Sequence, residues 1–188
     1  MADSKSTNKN NLHYLRDLKD YKIAKDEPDV RGWKVQDSNH QTVGTVAGLL
    51  VDVSVEKVRY IDVDLDDGLI TADHDPFDAK HRDGIHEFQD KKGNIHMIIP
   101  IGVARIEREA EVIVADGIDQ NSLRNIPTYR YQQNVPVHSD YEQSVLSNFR
   151  KQPGDADRSR ELSDDELYNS EHFDEKRFYG RRDRKDQE

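Results

Sequence analysis

The run Thr42-Val43-Gly44-Thr45-Val46-Ala47-Gly48-Leu49-Leu50-Val51-Asp52-Val53-Ser54-Val55 is followed, after Glu56-Lys57, by Val58-Arg59-Tyr60-Ile61-Asp62-Val63-Asp64-Leu65. In the first run the odd positions Val43, Ala47, Leu49, Val51, Val53 and Val55 are apolar, while Gly44, Gly48, Asp52 and Ser54 take even ones. Alternation with period two marks a strand with one buried face. Gly44 and Gly48 inside it predict bends or bulges, which a sheet needs in order to curl. The second run repeats the pattern: Ile61, Val63 and Leu65 face one way, and Asp62 and Asp64 are expected on a solvated face. Glu56-Lys57 between the two runs is the turn of a hairpin.

Working outward, Gly32-Trp33-Lys34-Val35-Gln36 reads as a strand and Asp37-Ser38-Asn39-His40-Gln41 as a polar turn. Upstream, Leu12, Leu15 and Leu18 at i, i+3, i+6 suggest one or two helical turns, broken at Asp26-Glu27-Pro28-Asp29. Downstream, 66–93 is a long acidic, His-bearing excursion in which core residues are scarce. Within it Glu87-Phe88-Gln89 reads as a short paired segment that turns near Lys92-Gly93-Asn94. The chain returns as the strand Ile95-His96-Met97-Ile98-Ile99, stopped by Pro100, and Ala104–Glu107 with Val112–Ala115 read as a last hairpin. Asp119 to Asn125 suggests a helical turn ended by Ile126-Pro127. Six or seven short strands at this spacing favour an all-β barrel or sandwich. The expected organisation is a disordered arm over 1–11, one domain over 12–131, and a charged, largely disordered tail over 132–188 with transient helix. In that tail Ser139 to Arg150 places Tyr141, Val145, Leu146 and Phe149 on one side of a helix. Ser163-Asp164-Asp165-Glu166 is a capping-box pattern. Leu162, Leu167, Phe173 and Phe178 are too sparse to predict a core.

Composition agrees with a small domain carrying solvated arms. The chain has 188 residues, 34% of them hydrophobic and 35% charged, against about 45–50% apolar in average domains. Lys and Arg total 28 and Asp and Glu 38, for a net charge of −10. No long stretch is basic enough to neutralise a phosphate backbone, so direct nucleic-acid binding is disfavoured; the short Arg181-Arg182-Asp183-Arg184-Lys185 run reads as a solubilising end. With no cysteine, disulfides, thiolate metal sites and a cysteine nucleophile are excluded. The N-terminus lacks the apolar core of a secretory signal. The longest mostly apolar run, Val43 to Val51, is far short of the about 20 residues a spanning helix needs. A cytoplasmic protein with no membrane span is expected.

Gly32-Trp33-Lys34-Val35, Val43-Gly44-Thr45-Val46, Leu50-Val51-Asp52, Arg59-Tyr60-Ile61-Asp62-Val63 and Ile98-Ile99-Pro100-Ile101-Gly102 together resemble the PRC-barrel family. This is the small β-barrel of the photosynthetic reaction-centre H subunit and of the ribosome maturation factor. Asp119 to Tyr129, with Ile126-Pro127-Thr128, is similar to the H subunit's cytoplasmic domain in particular. The resemblance covers about residues 12–131. It implies a mainly β fold: a small antiparallel PRC-type barrel with short flanking helices, in a bacterial, non-enzymatic protein. The function it implies is docking to protein partners. A small barrel with a thin core gains from self-association, so a second copy is an expected partner. An alternative it implies is a peripheral, H-subunit-like component of a photosynthetic electron-transfer complex, touching the membrane only in that role. A ribosome-maturation role, acting through protein contacts alone, ranks below these.

Three chemistries can be weighed on the residues themselves. Asp62-Val63-Asp64-Leu65-Asp66-Asp67-Gly68 echoes the opening of a calcium loop, but its sixth residue is Asp67 where that loop has Gly, and its twelfth is Asp73 where it has Glu; a solvated strand face explains it better. His74, His81 and His86, with Asp75, Asp78 and Glu87 beside them, are candidate ligands for a weakly bound divalent cation such as zinc, against a polar loop kept soluble by charge. This makes a cation-responsive protein the other alternative. No nucleophile elbow, His-Glu-x-x-His pair or phosphate loop is present, so no catalytic residue and no resident cofactor is expected. Trp33, the single tryptophan, is expected in the core.

Overall fold

The computed structural model describes residues 12–69, 95–119, 123, 129–130, 139–149 and 168–180. Eight strands form one sheet: β1 Leu12–Tyr14, β2 Lys34–Gln36, β3 Thr42–Asp52, β4 Lys57–Leu65, β5 Ile95–Pro100, β6 Ala104–Glu107, β7 Val112–Ala115 and β8 Tyr129–Arg130. Its order is β6-β7-β2-β3-β4-β5-β8, with β1 added beside β3. Among the described residues, two α-helices are delimited after the sheet, α1 Ser139–Phe149 and α2 Glu175–Tyr179. The chain is thus mainly β, and its sheet curls into a half-barrel.

The alternating run does build the centre of this sheet. β3 pairs antiparallel with β4 from Gly44↔Leu65 to Asp52↔Lys57, with register shifts at Val46/Gly48 and Leu50/Val51. Those bulges bend β3 enough for one edge to serve two partners: β2 along its first half (Val35↔Gly44) and β1 along its second (Leu12↔Asp52). Gly44 is required by close approach, because a Cβ there would lie 2.2 Å from the Asp64 backbone oxygen. The hairpin closes without glycine, as its sequence predicts, with Glu56 taking φ +55°. The Asp37–Gln41 turn is held by the Asp37 side chain, which accepts the backbone N–H of Asn39 and of Gln41 at 2.9 Å each.

Four expectations change. The bulges break strict alternation: Leu49, Leu50 and Val51 are all buried, whereas Val55, beyond the end of β3, is 48% exposed. The Leu12, Leu15 and Leu18 spacing is met by β1 and a 3₁₀ turn at Leu15–Asp17 rather than by α-helix, since three residues per turn suits the 3₁₀ form. The sheet is not wholly antiparallel, because β2 and β7 pair parallel, Val35↔Ile113. Finally, parts of 132–188 belong to the folded body: Tyr141, Val145 and Leu146 of α1, and Phe173 and Phe178 further on, are buried in the core. Few but large side chains suffice there, because each aromatic removes a large apolar area from water. Trp33 is half-buried and packs against the core. The arm 1–11, the excursion from 70 to 94 and the capping-box pattern at Ser163 lie outside the described residues.

Candidate functional site

β4 lies between β3 and β5, and five consecutive residues, Arg59 to Val63, are buried. A strand buried on both faces has no solvated side, so its polar residues must find partners within the protein. Asp62 does so against the neighbouring strand. Register pairs Asp62 with Ile98 and Asp64 with His96, which makes Asp62 and His96 diagonal neighbours on one face. The His96 Nδ1 and the Asp62 Oδ1 are 2.9 Å apart, with side chains 4% and 0% exposed. The carboxylate accepts from the imidazole and orients its ring. Tyr141 of α1 covers this pair. Burial pushes its phenol well above the usual range, the Asp62 charge adds to that, and a hydrogen bond from the Ile98 backbone opposes it.

A second polar group lies at the start of β4. The Arg59 guanidinium is 3.5 Å from the Asp52 carboxylate, and both side chains are under 10% exposed. Asp52 also accepts from the Ser54 backbone N–H at 3.0 Å and from its hydroxyl at 2.5 Å. Above Arg59 sits the C-terminal segment: the guanidinium lies 4.4 Å from the Tyr168 ring centre and 5.7 Å from that of Phe173, cation–π contacts strengthened by partial desolvation. Phe173 meets Tyr60 and Tyr168 edge-on, each at 5.2 Å. The Tyr168 hydroxyl donates to Glu142 of α1 at 3.0 Å, and Glu142 sits against the Tyr60 hydroxyl. Burial is the main cause holding the Tyr60 phenol far above its usual range; Glu142 and Tyr168 add to it and Arg59 opposes it.

The two groups form one buried polar band along β4, roofed by α1 and by residues 168–180. It can hold protons in fixed positions and clamp three parts of the chain together. Its charged groups are internal, so it does not present a nucleophile to solvent.

The expectation that Asp62 lies on a solvated face is corrected. Asp62 is fully buried and paired with His96, and Asp64 is half-buried, because α1 covers the face that a lone hairpin would expose. The candidate cation ligands His74, His81 and His86 lie outside the described residues. Among the described residues, no three His, Asp or Glu side chains gather as a metal site, and no helix is long and apolar enough to cross a membrane. Sequence alone assigns no polar role to Arg59, His96, Glu142 or Tyr168, and places Tyr141 only on the apolar side of a helix. For Arg59 and His96 the available signal was an ionisable residue inside a strand otherwise built for burial.

No protein-family model matches the chain, and a search of curated proteins returns no match.

Proposed function

We propose that this chain is a non-catalytic docking module built on a PRC-type barrel, working through protein–protein contact, with a second copy of itself as its first partner. The observation that carries this reading is that the half-barrel already holds a linear segment. Residues 168–180 lie along β4 and the Ile101–Val103 turn with Phe173 and Phe178 buried, 5% and 1% exposed. A surface that seats aromatic anchors between cationic side chains has the anatomy of a peptide-recognition groove. The buried polar band supports the same reading, because catalytic acids and bases must reach substrate, whereas Asp62 and His96 are sealed beneath α1. The resemblance of Gly32-Trp33-Lys34-Val35, Val43-Gly44-Thr45-Val46 and Arg59-Tyr60-Ile61-Asp62-Val63 to PRC-barrel motifs is in keeping with it.

Sedimentation equilibrium over a wide concentration range at physiological salt tests the reading. Reversible self-association is expected. A strict monomer that retains no protein partner from its native cell would remove the docking function, and turnover of a substrate by the purified chain would remove the non-catalytic one.

A further inference from the structure

Residues 168–180 touch the half-barrel as a ligand touches a receptor. Phe173 and Phe178 are the buried anchors, and Tyr168 and Tyr179 flank them. Gly102 forms the floor: a Cβ there would lie 2.3 Å from the Glu171 backbone oxygen and 2.7 Å from the His172 carbonyl carbon. Only a bare backbone lets the segment approach so closely. Around this floor the body supplies cations and the segment supplies their partners. Arg59 donates to the Tyr168 carbonyl at 3.4 Å, across 109 residues of sequence. Arg108 donates to the Tyr179 carbonyl at 3.4 Å, and Lys57 is 3.7 Å from Glu175.

None of these contacts depends on the segment belonging to the same chain. Residues 150–167 join α1 to it, and a run of that length can span up to roughly 60 Å, enough to reach the same groove on a neighbouring copy. Cis and trans seating then differ only in linker entropy and in the cost of association, so the balance is set by concentration. Exchange of an identical element between protomers is a low-cost route to a dimer.

We infer that the Gly102 groove accepts residues 168–180 of a second copy, giving a segment-swapped dimer. This rests on the docking reading and names the surface that would serve it. Two full-length variants test it. Gly102→Val blocks the groove, and Phe173→Ala with Phe178→Ala disables the segment. Each alone is expected to be a monomer. Mixed, they restore one intact groove–segment pair that forms only in trans, so the mixture is expected to sediment at twice the monomer mass. No dimer in the mixture, with both variants keeping the wild-type circular dichroism, overturns the swap. If the wild type self-associates while the mixture does not, the swap is lost and docking through another surface survives.

Should either variant fail to fold, the wild-type chain carrying a protease site after Gly154 replaces the pair. After cleavage, a C-terminal fragment that stays with the body and exchanges with added labelled fragment supports the groove. A fragment that leaves and does not rebind overturns it.

Discussion

Val63 in β4 and Phe173 near the C-terminus are both nearly inaccessible, 0% and 5% exposed, yet they reach burial by different routes. Val63 lies opposite Val46 in a hairpin whose two strands are joined by a short turn, and its neighbours repeat apolar residues every second position. Phe173 sits in a run dominated by charge, Glu171-His172-Phe173-Asp174-Glu175-Lys176-Arg177. Its ring is held by Tyr60 and Arg59, more than a hundred residues earlier. The first region organises itself by local pattern. The second is organised by a surface that must exist before it can dock. Burial alone therefore does not tell how a residue came to be buried, and the two regions should fail differently.

The largest effect is expected where the hairpin itself is broken. Gly44→Val puts a branched side chain into the space of the Asp64 carbonyl, 2.2 Å from any Cβ. It should cost at least about 3 kcal/mol, in the overpacking range for a core position, and denaturant unfolding should show the whole sheet weakened. Phe173→Ala should cost about 3 kcal/mol of the docking of 168–180. Hydrogen exchange should then show protection lost near Gly102 while β3 and β4 keep theirs; equal loss in the hairpin would mean that the two regions are not separable.

Between the two regions lies the polar band. Asp62→Ala leaves the His96 imidazole without its carboxylate and should destabilise by about 2 kcal/mol, with the near-ultraviolet signal of Tyr141 changing alongside.

The smallest effect per group is alkaline. Burial, aided by Glu175 and Glu27 and opposed by Arg108, pushes the Tyr179 phenol up to about 12 from the ordinary 10.0. A phenol that holds its proton more tightly when folded leaves stability unchanged below the unfolded value. Stability is then lost as pH climbs towards the folded one. Tyr179 alone should account for about 1 kcal/mol by about pH 11, and Tyr60 and Tyr141, raised in the same direction, should steepen the fall. Chemical denaturation across this range checks the sign, and Tyr179→Phe should flatten the slope.

Legibility followed the range of the interactions. The β3–β4 hairpin and the last hairpin, β6 with β7, could be read because a short turn joins each pair, and β5 because its apolar run is local, although its partner β4 is not. The parallel pairing of β2 with β7 was hidden, because parallel partners are joined by long connections and nothing in Lys34–Gln36 names Val112–Val114. The polar band was read backwards at Asp62. An alternating acidic residue marks a solvated face only when nothing covers that face, and here α1 does. The helix at Ser139–Phe149 was visible from Tyr141, Val145 and Leu146, but the surface it seeks was not.

By itself, the order of residues determined the β3–β4 hairpin, β5, the last hairpin and the bend beside Gly48, because side-chain period and backbone sterics act over a few residues. Tertiary structure alone decided that a charged C-terminal run would bury two phenylalanines, that Arg59 would lie beneath their neighbours, and that Asp62 would be sealed against His96. Those outcomes depend on desolvation and on partners brought together across the chain, and neither is written into any local stretch of it.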